Sequence, residues 1–245
     1  MLRTLCVLAL AIAACGPHPG STIPLVEPPP TPLPSTELTL PPGEEMAWDI
    51  YWQGLLVGRA DLGVAAHEAH SRFSTTALAR AFAKVRYHGS STRDRGGATA
   101  SRESLTYSGE DSSVTAVIDG PRYRLDDGPS LTVPGGTTLH TLHTALGSLR
   151  TWSRGDAAPA YLWFVLRHTL YRLDVERPGK DEAQGHRALK IHGTVRAGDR
   201  SIDPVDVTLW LSTTSDRTPL RIVVVADGER VSAELTETTA TFANR

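Results

Sequence analysis

From Gly43 onward the chain is written almost wholly in short runs of alternating apolar and polar residues, and one stretch alone departs from that rhythm. Trp48, Ile50 and Trp52 alternate with Ala47, Asp49 and Tyr51, a period of two that gives a strand two distinct faces. Gln53-Gly54 supplies a turn, after which Leu56, Gly58, Ala60, Leu62 and Val64 continue on one face. Gly58 and Ala60 leave room for a bulky neighbour, expected to be a tryptophan across the hairpin. Further strands are expected near 71–79, 83–92, 98–107, 113–118, 121–126 and 130–134, the last after the turn residues Asp126-Asp127-Gly128. The pattern resumes at 160–177, 185–197, 204–213, 218–226 and 230–241.

The exception runs from Thr138 to Trp152. Leu139, Leu142, Leu146, Leu149 and Trp152 recur at three- and four-residue spacing, which predicts an amphipathic helix with its leucine stripe against something apolar. Thr137 or Thr138 is the expected N-cap, and Ser153-Arg154-Gly155 the exit. So many strands with one helix cannot form a parallel sheet, because each parallel step needs a crossover, usually helical. The expected fold is all-β with one main helix: a large curved antiparallel sheet or half-open β-barrel, the helix on its concave side or plugging its mouth.

The chain before this domain divides in two. Residues 1–14 read as a lipoprotein signal peptide: Arg3, a short apolar run, then Leu10-Ala11-Ile12-Ala13-Ala14 closing on Cys15. The apolar run falls well short of the ~20 residues that span a bilayer. Cys15 is the expected lipidation site, and with residues 16–42 it roots a tether carrying ten of the chain's seventeen prolines. Such a segment favours extended polyproline II. Gly16 stands where an aspartate would signal inner-membrane retention, so a lipid anchor in the outer membrane, facing the periplasm, is expected. Residues 43–245 form the β domain.

Composition removes several classes of function. The net charge of −2 comes without a long basic block, which argues against nucleic acid as a partner. Lysine accounts for 3 of the 25 Lys and Arg residues, a bias read as compositional. Cys6 and Cys15 both lie at the leader, so the β domain has neither disulfide nor cysteine chemistry.

No motif reaches a catalytic assignment. His67-Glu68-Ala69-His70 is one residue short of a zincin motif and falls at an expected turn, where solvation is the expected state. His140 and His143 are three apart on the expected helix but lack a third ligand in sequence. Pro134-Gly135-Gly136-Thr137 reads as plain turn chemistry rather than an anion cradle. Glu44-Glu45 and Asp126-Asp127 are expected as solvated turn carboxylates, and the serines mark out no nucleophile–base pair. Neither a metal nor another cofactor is implied.

Three segments carry a resemblance. Residues 43–62, Gly43-Glu44-Glu45-Met46-Ala47-Trp48-Asp49-Ile50-Tyr51-Trp52-Gln53-Gly54-Leu55-Leu56-Val57-Gly58-Arg59-Ala60-Asp61-Leu62, follow the pattern G-E-x-L-x-Y-x-V-x-W-x-G-I-x-V-G-x-A-x-L, with Met46 for Leu and Trp48 for Tyr. The helix ending Ala145-Leu146-Gly147-Ser148-Leu149-Arg150 is the second. Trp210-Leu211-Ser212 followed by Asp216-Arg217-Thr218-Pro219-Leu220-Arg221-Ile222 is the third. In this order they resemble the bacterial envelope family known as domain-of-unknown-function family 3108. The resemblance implies a periplasmic or lipoprotein β domain, similar to the half-open barrel of lipoprotein-localisation carriers.

The resulting expectation is a non-enzymatic envelope lipoprotein, membrane-bound through its anchor, whose sheet binds an apolar or amphipathic ligand such as an acyl chain. The candidate lining is Trp48, Ile50, Trp52 and Trp163 with Leu142 and Leu146 of the helix. The alternative is a structural module docking on another envelope component. A metal-dependent hydrolase would need His140 and His143 to converge with a carboxylate. The ligand and any protein partner are not identified by sequence.

Overall fold

The structure is a computed structural model that describes residues 30–33, 40–93, 98–126, 128–155, 157–198 and 203–239. The leader, Cys15 and residues 16–29 lie outside the described residues. Two antiparallel meanders make up the chain. The first comprises β2 (Glu45–Trp52), β3 (Leu55–Val64), β4 (Glu68–Thr75), β5 (Val85–Arg93), β6 (Thr99–Tyr107), β7 (Glu110–Asp119), β8 (Arg122–Leu125) and β9 (Ser130–Thr132). After a short β10 (Leu139–His140) and helix α1 (Leu142–Trp152) come β11 (Ala160–Leu166), β12 (Thr169–Val175), β13 (Gly179–Ala183), β14 (His186–Ala197), β15 (Val205–Ser212), β16 (Pro219–Ala226) and β17 (Glu229–Thr238). Pairing of β17 with β2 joins the two meanders into one sheet, and β1 (Thr31–Pro32) and β10 lie parallel to β11. The fold is therefore all-β with one α-helix among the described residues, as the alternating pattern predicts.

Local chemistry explains the meanders. Gln53-Gly54, Ser108-Gly109, Gln184-Gly185 and Asp227-Gly228 each place two successive residues at positive φ. That conformation closes a two-residue hairpin with the right strand twist, and glycine takes its second position without strain.

The sheet closes like a scroll. Its inner face carries Trp48 and Ile50 on β2, Phe73 on β4, Tyr87 on β5, Ile118 on β7, and Leu162 and Phe164 on β11. Residues 163 and 165 of β11 point the opposite way, yet Trp163 and Val165 are buried against Ala116, Ile118 and Tyr123. The inner face of β7 and β8 thus laps over the outer face of β11, which is why β11 is apolar on both sides. At this seam the Arg167 backbone N–H donates to Glu103 at 3.1 Å, the Arg167 guanidinium to Ser112 Oγ at 2.6 Å, and His168 pairs with Asp126 at 3.1 Å.

Several local expectations are corrected. The helix begins at Leu142 rather than Thr138, with Thr141 as N-cap in a reciprocal capping box with Thr144. Leu139 and His140 pair with Trp163 and Phe164 instead. The expected 160–177 strand is a hairpin turning at Arg167-His168, and β13 escapes the pattern because Gly179-Lys180-Asp181-Glu182 has no apolar alternation. A register shift beside Ile50 moves Val57 inward and leaves Leu56 exposed. The folded unit also reaches back into the expected tether: Thr31-Pro32 pairs with β11, and Leu33 and Leu40 are buried.

The space at Gly58 is taken from β4, not by a tryptophan. A Cβ there would stand 2.3 Å from the Phe73 ring and 2.9 Å from the Ser74 carbonyl oxygen. Trp48 instead faces Ala60. Gly58→Val is expected to cost about 1–3 kcal/mol by overpacking, measured as a lower urea midpoint at unchanged m value.

Candidate functional site

Helix α1 spans the end of the barrel where β2 begins after Gly43 and where the β15–β16 turn lies. Its buried residues are His143, Thr144, Ala145, Gly147, Ser148, Leu149 and Arg150. The leucine stripe is only partly the packed face: Leu149 is buried, but Leu142 is 41% exposed. Leu146 packs against both large apolar clusters, one built on β2–β6 with β17 and the other on β11–β16. The helix is therefore a wedge between the two clusters.

Two polar anchors hold it. At its C-terminal end, Arg150 makes a bidentate pair with Glu44, at 2.7 and 2.9 Å, and donates to the Asp216 carbonyl from Nε at 2.9 Å and Nη2 at 2.6 Å. The Arg150 and Glu44 side chains are 0% and 2% exposed. Glu44 is thus not the solvated turn carboxylate expected from its neighbours. The three segments that carry the family resemblance meet at this one guanidinium.

At the other end, His143 Nδ1 lies 2.7 Å from Ser91 Oγ and Nε2 lies 3.1 Å from Ser71 Oγ. Ser91 donates to Thr141 Oγ1 at 2.8 Å, so its oxygen accepts from Nδ1–H and Nε2 is left to accept from Ser71. This places a serine hydroxyl against an imidazole, which the sequence does not disclose because residues 71 and 143 are far apart along the chain. Burial, reinforced by His70 and His88, lowers His143 from 6.5 to about 4. Such a ring is neutral and a poor base near neutrality, so the pair serves as a polar strut from α1 to β4 and β5. His140 is also lowered to about 4 by burial, with Ser148 Oγ 3.4 Å from its Nδ1. Among the described residues no three metal-ligating side chains converge on either histidine.

Glu103 completes the inner polar groups. Burial raises its carboxyl above the usual value, against the bonds from the Arg167 N–H and Tyr87 hydroxyl. Burial likewise pushes the Tyr87 phenol well up. The Tyr87 hydroxyl occupies the space a Cβ on Gly89 would need, 2.6 Å away.

The candidate lining residues do not form one site. Trp48 and Ile50 sit in the first cluster, where the Trp48 indole donates to the Pro219 carbonyl at 3.2 Å. Trp52 is half-buried at the edge of that cluster and donates to Glu229 at 2.6 Å. Trp163 belongs to the seam on the far face of β11, and Leu142 is exposed. Of these candidates Leu146 packs against both interior clusters, as does Ile222 of β16. Alternation places Trp48 and Ile50 on the inner face, but cannot show that Trp163 lies on the opposite side of its strand from the helix.

Among the described residues, two grooves open on the outer face. One of about 410 Å³ runs over β3–β6 past Asp61, Arg72, Ser74, Arg86, His88 and Ser104. The other, of about 580 Å³, runs over β17 and β2–β4 past Glu45, Arg59, Asp61, His70, Arg72 and Glu237. The solvated turn expected at residues 67–70 holds only at its start: Glu68 opens β4, and the His70 ring lies over Gly63.

The fold and site define a barrel-like rolled sheet with, among the described residues, one α-helix packed inside it. No family model and no curated protein matches the chain. Among solved structures, the β-barrel-like protein of domain-of-unknown-function family 1849 from Brucella abortus aligns over 80% of this chain and 96% of its own, with a TM-score of 0.56 and 8% identity. That is a likeness of fold. Lipoprotein LppX of Mycobacterium tuberculosis aligns over 81% and 87%, at a TM-score of 0.28 and 12% identity. LprF of Mycobacterium bovis aligns over 84% and 90%, at 0.32 and 12%. Scores this low carry no structural argument.

Proposed function

We propose that this chain is a non-enzymatic, lipid-anchored envelope protein of the family 3108 type that binds an apolar or amphipathic ligand such as an acyl chain. The observation that supports the reading is the wedge: one helix packs between two apolar clusters inside a barrel-like sheet, its Leu146 touching both, as Ile222 of β16 also does. An acyl chain entering between α1 and the sheet would exchange apolar contacts of Leu146, Trp48 and Ile50 for its own. The anchor at Cys15 and an outer-membrane address facing the periplasm belong to the same proposal and rest on the leader.

The test is lipid extraction and native mass spectrometry of the full-length protein from its own membranes. A bound fatty acid or phospholipid near one per chain is expected, and Leu146→Glu should lower its occupancy. Ligand-free protein that takes up no fluorescent fatty acid overturns the reading. The second reading, a module docking on another envelope component, is favoured by the buried Arg150–Glu44 clasp, which holds the wedge shut. Crosslinking in intact cells decides it, since a carrier of lipid needs no stable protein partner.

A further inference from the structure

The end of the barrel opposite α1 carries a surface that none of the above uses. There the β2–β3 turn and the β4–β5 connection lie side by side, Thr76 N–H donating to the Val57 carbonyl at 2.9 Å. The β4–β5 connection forms a single 3-10 turn at Ala79–Ala81. Ala79 and Ala83 are buried beneath it in the first apolar cluster, while Leu78 and Phe82 project at 71% and 64% exposure. Leu55 and Leu56 stand beside them at 61% and 42%. These are four of the most exposed large apolar side chains among the described residues, gathered on two adjoining turns. Apolar residues scattered singly need no explanation, but a gathered patch does.

Within these two segments every charge is positive, while the turns bonded to them on either side, at Arg230 and at Ser108, carry Glu229 and Glu110. Arg80 sits inside the apolar turn, Lys84 follows it, and Arg86 continues up the outer face of β5. Between Trp52 and Leu56, and between Thr76 and His88, there is no Asp or Glu. Arg86 then joins Arg72 and His88 along the 410 Å³ groove, whose lining has Asp61 as its only carboxylate. An apolar tip with Arg80 and Lys84 on its own turn fits the interface of a bilayer bearing anionic headgroups, the tip entering the acyl boundary and these cations meeting phosphates.

We infer that Leu55, Leu56, Leu78 and Phe82 dock on an anionic lipid surface, with Arg80, Lys84 and Arg86 facing its phosphates. This deepens the ligand-binding reading, on which it rests, by naming the surface from which an amphipathic ligand would be received or to which it would be given. The described chain first joins the sheet at Thr31, beside Ala160 and the helix cluster, and reaches β2 through Gly43, whose N–H bonds the Val64 carbonyl at the end opposite this tip. Docking through this tip is therefore separable from the acyl anchor.

The test uses the full-length chain with Cys6→Ser and Cys15→Ser, so that no acyl anchor forms, and one added cysteine carrying an environment-sensitive fluorophore. Ala81→Cys places the probe on the tip; Glu182→Cys, exposed on β13, is the control. Vesicles of phosphatidylethanolamine with phosphatidylglycerol should shift the emission at position 81 to the blue and leave position 182 unchanged. Leu78→Asp with Phe82→Asp should weaken the vesicle titration about tenfold, and Arg80→Glu with Lys84→Glu about tenfold or more on anionic vesicles, with little change on phosphatidylcholine. The leader is common to every variant, so these differences report the tip alone. Three outcomes overturn the inference: no spectral change at position 81, equal responses in the substituted tips, or a shift that follows protein concentration without vesicles and so marks a second copy as the occupant. Docking on vesicles by protein that contains no lipid would remove the ligand reading and leave this one standing. Bound lipid without docking would do the reverse.

Discussion

Arg150→Ala is expected to destabilise the protein by about 3–5 kcal/mol, the cost of leaving one member of a buried ion pair without its partner. The carboxylate of Glu44 would stay in a site where it is 2% exposed, and the Asp216 carbonyl would lose two donors. Because Arg150 ties α1 to the strand entry at Glu44 and to the β15–β16 turn, the loss should also free the helix end. The double variant Arg150→Met with Glu44→Leu removes both charges and is expected to recover a large part of the loss, since a buried ion pair contributes little over well-packed apolar groups. Urea unfolding of the two single variants and the double variant measures this as a coupling energy. An additive double variant would mean that the pair does not clasp the helix.

Acid should unfold the protein through two histidines. His140 and His143 are lowered from 6.5 to about 4 by burial. Between those values the unfolded chain binds protons that the folded one excludes, so stability is fully present above pH 6.5 and is lost as pH falls toward 4. At about 1.4 kcal/mol per pH unit, each ring accounts for about 3 kcal/mol across that window. Glu103 works with the opposite sign: its raised carboxyl contributes stability at low pH that is lost as pH rises through its folded value. His143→Gln should about halve the slope of unfolding free energy against pH between 6.5 and 4, whereas Glu103→Gln should steepen the net slope. An unchanged slope in His143→Gln would show that its ring already titrates freely. Because both rings brace α1, mild acid should loosen the wedge before the outer strands.

How far the sequence discloses this molecule depends on how far apart the interacting residues are. Trp48 and Ile50 fall on the inner face because a strand alternates sides residue by residue, and that needs no knowledge of neighbours. Pro219 reads as a strand start for the same local reason, a fixed φ and no N–H to donate. Glu44 is misread from sequence because its partner lies 106 residues away, and adjacent Glu45 is a plain exposed carboxylate. Leu142 is misread because helical periodicity locates a stripe without showing which part of it is covered. The serines against His143 come from strands far upstream, so no spacing rule could bring them together.

The alternating pattern, the two-residue glycine turns and the single helix are enough to determine an antiparallel all-β chain with one helical insert, because each depends on local backbone preference. Only the tertiary structure decides where that helix goes, which face of β11 meets which cluster, and that the sheet laps over itself at Trp163 and Val165. Those outcomes depend on burial and on charge neutralisation between distant segments. Arg150 shows the division plainly. In sequence it is one basic residue at a helix end, where a cation is ordinary. In the fold its desolvated charge can persist only where Glu44 and the Asp216 carbonyl are brought to meet it.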